Sequence, residues 1–250
     1  MLISPIKTSP LSSKFSDVGA TPLISTMQHE WYSNNVQNAS ANIITIPDTG
    51  SVGGLNISNP ALSNKPTASS IGGKVSYAAD GVDDYLYIST NNFMRAMPTW
   101  MFTIVFKYDS SGVNRFFSMF NESSPNSNGI HYSYNNSLGA FVVVKSNNTT
   151  TSTVMSASQA LTNGNNYIFT FSWDGTNLRL YNQTTQVFTA VEPNPILFPT
   201  STNNFSVFAI ISPSFTNAFG KGNIGYIGVD EFNLTRLNAN VATLKSTFGI

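Results

Sequence analysis

Three aspartates, Asp80, Asp83 and Asp84, crowd one short stretch, Ala79-Asp80-Gly81-Val82-Asp83-Asp84. Clustered carboxylates beside loop carbonyls are calcium chemistry, since that ion takes about six to eight oxygens. The same letters are also turn chemistry. Glycine accepts positive φ, and an aspartate side chain binds backbone amides two residues on. The turn reading is preferred: Asp80 shapes the turn before Gly81 and Asp83 caps loop amides. Calcium at Asp80, Asp83 and Asp84 is the single candidate cofactor.

Glycoside hydrolysis needs two carboxylates about 5–10 Å apart. The four glutamates are Glu30, Glu122, Glu192 and Glu231, and none has a second carboxylate two residues away. Asp230 and Glu231 are adjacent, so on a strand they point to opposite faces. Nucleophilic catalysis is no better served. The histidines are His29 and His131, cysteine is absent, and no Gly-x-Ser-x-Gly occurs. His131, in Ile130-His131-Tyr132-Ser133-Tyr134, reads as a half-exposed strand residue. No phosphate loop or dinucleotide fingerprint is present. The expectation is a protein that is not an enzyme.

Sugar binding works through aromatic faces and amide hydrogen bonds. Tyr132, Tyr134, Asn135 and Asn136 make the best local set for carbohydrate, followed by Trp100. The competing reading is packing, with Trp31, Trp100 and Trp173 in the core and both tyrosines in ordinary surface or packing roles.

These groups sit in an uncharged chain. Charged residues are 10% of 250, with 12 Lys+Arg against 12 Asp+Glu. Zero formal net charge leaves no electrostatic footprint for nucleic acid or an anionic membrane. No stretch approaches the ~20 apolar residues that cross a bilayer. The start, Met1-Leu2-Ile3-Ser4-Pro5, lacks a basic segment and an apolar run, so no signal peptide is read. Without cysteine there is no disulfide framework, which fits folding in a reducing cell of a bacterial or viral system. Nine Asn-x-Ser/Thr triplets are read as composition rather than glycosylation.

The elements that must position these groups are strands. Residues 1–28 carry Pro5, Pro10 and Pro22 and read as an extended arm. From 29 to 250 a single domain follows. Phe102, Ile104 and Phe106 share one face of Trp100–Tyr108, and Tyr167, Phe169, Phe171 and Trp173 share one face of the next long strand. Asp174-Gly175-Thr176-Asn177 is a hairpin turn. Further strands are predicted over Val75–Ala79, Tyr85–Ser89, Arg115–Phe120, Gly129–Tyr134, Ala140–Lys145, Leu178–Tyr181, Gln186–Ala190, Phe205–Ile211 and Ile224–Leu234. Val241, Leu244 and Phe248 recur at helical spacing between a cap at Asn238 and Gly249, which predicts one short terminal helix on the sandwich rim. The fold class is all-β: a two-sheet antiparallel jelly-roll sandwich with that helix and the N-terminal arm.

Several pieces resemble the concanavalin A-like lectin/glucanase superfamily in its laminin-G-like form. They are the Trp31-Tyr32 pair, the Ile46-Pro47-Asp48-Thr49-Gly50 loop, Lys65-Pro66-Thr67 leading into YAADGVDDYLYI, the YIFTFSWDGTNLRLYN hairpin, and the ending IGYIGVDEFNLTRLNANVATLKSTF. Together they span 29–249. Hydrolases of the superfamily carry a Glu-x-Asp-x-Glu type strand, which this chain lacks. The resemblance implies a lectin-like scaffold, as found in bacteriophage structural proteins. The expectation is a multicopy or homo-oligomeric virion component (capsid decoration, fibre or tail) made in the host cytoplasm. It would contact other virion proteins through its arm, hold a host-surface or environmental glycan, and bind no nucleic acid or membrane. The alternatives are an extracellular or cell-surface carbohydrate-binding module and, behind it, a glycan-degrading enzyme.

Overall fold

The computed structural model describes residues 22–40, 43–88, 93, 97–121, 128–147, 151–155, 159–191, 205–212 and 215–250. Residues 1–21 of the expected arm lie outside that set. In chain order the strands are β1 (His29–Tyr32), β2 (Gln37–Ser40), β3 (Ile43–Ile46), β4 (Ile57–Ser58), β5 (Thr67–Ile71), β6 (Lys74–Asp80) and β7 (Leu86–Ile88). There follow β8 (Trp100–Lys107), β9 (Asn114–Asn121), β10 (Asn128–Asn135), β11 (Ala140–Asn147), β12 (Thr151–Met155) and β13 (Asn166–Trp173). The last are β14 (Asn177–Asn182), β15 (Thr185–Val191), β16 (Phe205–Val207), β17 (Ala209–Ser212), β18 (Phe215–Phe219) and β19 (Lys221–Asp230), before helix α1 (Leu234–Phe248).

Two antiparallel sheets make the sandwich. One runs β15-β14-β13-β8-β19-β6-β5, with β1 also on β19, and the other runs β12-β11-β10-β9-β16-β7-β4-β3-β2. Strand alternation explains the layers. Trp100, Phe102, Ile104 and Phe106 of β8 join Phe169, Phe171 and Trp173 of β13 in the core between the sheets. The intervening Met101, Val105 and Ile168 point the other way, into a second core under α1. β8 is therefore buried on both faces except at Lys107.

Helix α1 covers the outer face of the first sheet with Leu237, Val241, Leu244 and Phe248, rather than sitting at the rim. It also begins earlier than its spacing predicts. Asn233, not Asn238, is the N-cap, its side chain accepting from the Arg236 amide. The expected strand end at Leu234 gives way because β19 stops at Asp230 and Leu237 joins the buried stripe. Gly249 ends the helix at φ 65°, the left-handed geometry expected of that glycine. The predicted strand 205–211 is broken at Phe208, whose φ of 69° turns the chain out of the second sheet. That strained backbone is held by burial, since the Phe208 ring is 1% exposed in the main core. Packing also runs back before residue 29: Ile24 and Met27 are buried in the second core.

Candidate functional site

The strand ends and loops at one end of the sandwich enclose a cleft of about 440 Å³. Asp80 comes from the end of β6, Lys107 from the end of β8, and Tyr108 and Asp109 from the loop after it. Asn163 and Gly164 precede β13, and Lys221 to Asn223 open β19.

Asparagine side chains hold these loops together. Asn136 Oδ1 accepts from the Tyr108 hydroxyl at 3.1 Å, and Asn136 Nδ2 donates to the carbonyls of Ser110, at 2.9 Å, and Gly112. Asn163 Oδ1 accepts from the Ser110 amide at 2.9 Å, and Asn114 Nδ2 donates to the Asp109 carbonyl at 2.8 Å. Asn side chains are thus spent here on satisfying loop backbone groups.

Two ammonium groups, Lys107 and Lys221, and two carboxylates, Asp80 and Asp109, line the cleft. The Lys221 stem lies close over Gly112, where a Cβ would come within 2.9 Å of the Lys221 Cβ. Its Nζ ends 3.8 Å from Asp109 Oδ2. Burial alone would raise the Asp109 carboxyl, but hydrogen bonds from the Ser111 hydroxyl and amide, with the Lys221 charge, hold it below its ordinary value. Asn223 is only 7% exposed, its Nδ2 donates to Ser69 Oγ at 2.9 Å, and its buried Oδ1 has no hydrogen-bond partner.

The structure brings Asp80, which lines this cleft, together with Asp83 and Asp84, their nearest carboxylate oxygens within 4.8 Å of one another. The turn role is visible: Asp80 Oδ1 accepts from the Val82 amide at 2.7 Å, and Asp84 Oδ2 accepts from the Asp80 amide at 3.1 Å. Burial, with repulsion from Asp80 and Asp83, raises the Asp84 carboxyl despite that amide bond. These three side chains are the ones that would hold a calcium ion.

The expected sugar-stacking residues are not on this surface. Tyr132 and Tyr134 are each 2% exposed and Trp100 is 0% exposed, because Ile130, Tyr132 and Tyr134 form the inward row of β10. Tyr132 packs on Phe171 at 4.3 Å and Phe117 at 4.9 Å, and Trp100 meets it edge-on. No ring face of these three is open to a ligand. Asn136 ties the loop around Tyr108 and Ser110, and Asn135 Oδ1 accepts from the Leu138 amide at 3.2 Å in its own turn. His131 is buried at 8% exposure rather than half-exposed. Ser118, its cross-strand neighbour, is also buried.

The described glutamates stand apart from the cleft. Glu30 is wholly buried and accepts from the Leu23 and Ile24 amides at 2.9 and 2.7 Å and from Thr49 Oγ1 at 3.0 Å. Burial raises its pKa against those bonds. Glu231 is exposed after β19, while the buried Asp230 beside it pairs with Arg236 at 2.8 Å. Glu122 and Glu192 fall outside the described residues. Lys107, Asp109, Asn163, Lys221 and Asn223 were not singled out by sequence reasoning; Lys107, Lys221 and Asn223 lie at strand ends and Asp109 and Asn163 in loops, and only the fold assembles them.

No protein-family model matches the chain, and no curated protein matches it. Solved structures do. A Trypanosoma rangeli sialidase bound to 2,3-difluorosialic acid matches with a TM-score of 0.57 at 12% identity, over 92% of this chain and 35% of that one. The binding domain of botulinum neurotoxin DC in complex with SialylT gives 0.58 at 11% identity, over 89% and 52%. A leech intramolecular trans-sialidase gives 0.53 at 15%, over 66% and 26%. The chain spans about a third of the Trypanosoma sialidase and about half of the toxin domain. At such identity the likeness is one of fold: a two-sheet antiparallel β-sandwich.

Proposed function

We propose that the protein is a non-enzymatic lectin-like module that holds a glycan in the end cleft. The observation that carries this is the cleft itself, about 440 Å³ and lined by Asp80, Asp109, Lys107, Lys221 and Asn163. Its size suits a small ligand, and its polar lining suits hydroxyl groups. Asp109, the carboxylate beside Lys221 in the cleft, is held below its ordinary value, which does not suit it to be the general acid of glycoside cleavage. An array of immobilised glycans, probed with and without calcium, tests the reading. Binding that Asp80→Ala weakens is the expected result, and a blank array under both conditions overturns it. Hydrolysis of any bound glycan would remove the non-enzymatic part. Loss of binding on chelation would add calcium at Asp80, Asp83 and Asp84.

We further propose that this module is displayed in multiple copies on a virion. The uncharged Asn/Ser/Thr-rich composition and the Pro-rich first 28 residues support this. Mass spectrometry of purified virions is the test. Deleting residues 1–21 leaves the buried Ile24 and Met27 in place, and is expected to abolish incorporation.

A further inference from the structure

We infer that β15 is an interface strand: it pairs antiparallel with β15 of a second copy of this chain, so that the first sheet continues through a two-fold dimer. The pairing depends on neither the glycan nor the virion reading.

The first ground is the make-up of the sheet edges. Among the described residues the first sheet ends on β15 and β5 and the second on β12 and β2. An edge strand leaves a row of N–H and C=O groups unpaired, and monomeric proteins guard that row with charge, proline or a cover. Here the four strands read TQVFTAV, TASSI, TSTVM and QNAS, without one Lys, Arg, Asp, Glu or Pro. β15 is the longest and the most apolar of them. Val187 and Phe188 are only partly buried against the main core, Ala190 is half-buried, and Val191 is 71% exposed. By contrast, Thr67, Ala68, Ser69 and Ser70 of β5 are small and exposed. The β14–β15 register shifts between Leu180 and Tyr181, but Phe188 to Val191 follow in regular pairing. A regular row is what a further strand needs.

The second ground is what fits this edge. About a two-fold axis normal to the sheet, β15 runs antiparallel to its own copy, and each row of side chains meets the same row. Like charges set opposite each other would destabilise such a pair, but the strand carries none. The one charge on β14 is Arg179, opposite Thr189, and it is bound to Asp174 within its own copy. With 12 positive and 12 negative groups, whole chains do not repel each other. An isologous contact also uses up this edge on both copies, so assembly through it closes at two. Seven residues a side fall short of the roughly 20–30 of a standard interface. The dimer therefore belongs to the weak class, with a Kd on the order of 10 µM.

The test takes the full chain through sedimentation velocity from about 1 to 300 µM, a range that brackets that value. A monomer that becomes a dimer across the range is expected. At high concentration the β15 amides should exchange more slowly with deuterium, while those of β5 stay unchanged. Thr189→Lys, at an exposed position, sets two ammonium groups on the joint and is expected to weaken dimerisation at least about tenfold. Ser70→Lys puts the same charge on the far edge of the sheet and should leave dimerisation within about twofold of wild type. Thermal melts confirm that both variants fold; if Thr189→Lys does not, the exchange result decides. A chain that stays monomeric to about 300 µM overturns the inference. So does a dimer that Thr189→Lys leaves intact, and so does an open-ended assembly. None of these outcomes touches the glycan reading.

Discussion

Asp48 accepts from four donors through a side chain with no solvent exposure: His29 Nδ1 at 2.7 Å and the amides of Glu30, Gly50 and Leu55 at 3.0, 3.1 and 3.2 Å. One carboxylate thus ties β1 to the loop that follows β3. Glu30 does the same on the other side of β1, drawing in Leu23 and Ile24. Both acids are spent on backbone donors, which explains why an acidic residue in this fold need not be catalytic. Asp48→Ala would strand these donors and is expected to cost about 3–5 kcal/mol in urea unfolding. Asp48→Asn keeps one acceptor oxygen and should cost less. An alanine variant within about 1 kcal/mol of wild type would show that the carboxylate does not organise this loop.

Elements meet most tightly where the β5–β6 turn touches the end of α1. Gly72 and Gly73 both have positive φ, at 55° and 74°, so alanine strains either. Only at Gly72 would a Cβ overlap the Phe248 carbonyl; at Gly73 nothing lies within 4 Å. Gly73→Ala should therefore cost about 1 kcal/mol and Gly72→Ala about 3 kcal/mol or more, since the helix end must shift. Equal losses in chemical denaturation would refute that docking. Elements of this kind were partly legible in the sequence. The alternation of β8 and β13, the Asp174 hairpin and the Gly249 cap carry local signals strong enough to survive packing. Period-two alternation cannot say which row faces inward, so Tyr132 and Tyr134 stood between sugar contact and ordinary surface or packing roles, and the structure buries them. His131 is buried, which its strand pattern does not announce. Of the site, the sequence showed the Asp80–Asp84 turn, but the other walls come from loops that only the closed sandwich brings together.

At the scale of the whole molecule, 12 positive and 12 negative groups leave little net repulsion, so pH acts through individual buried groups rather than through global charge. His131 is the clearest. Burial, and then the Arg115 charge, lower its pKa from 6.5 to about 4. Between those values the unfolded chain binds a proton that the native state does not, so stability rises with pH. The contribution is fully present above about pH 6.5 and is lost as pH falls toward 4. Glu30, Asp84 and Asp230 act oppositely. Burial raises each of them, so the native state takes up protons first and the fold gains as pH falls through the carboxylate range. Asp174 adds a loss only at lower pH: bonds from Asn177, Thr176 and Arg179 outweigh its burial and hold it at about 2. His131 therefore governs the slope just below neutrality. From pH 7 to 5 the wild type is expected to lose up to about 2 kcal/mol in urea unfolding, less whatever the raised carboxylates return. His131→Gln removes the titrating ring and should flatten that slope while keeping a polar side chain in place. A variant that loses as much stability as wild type over this interval would show that the acid sensitivity lies elsewhere in the sandwich.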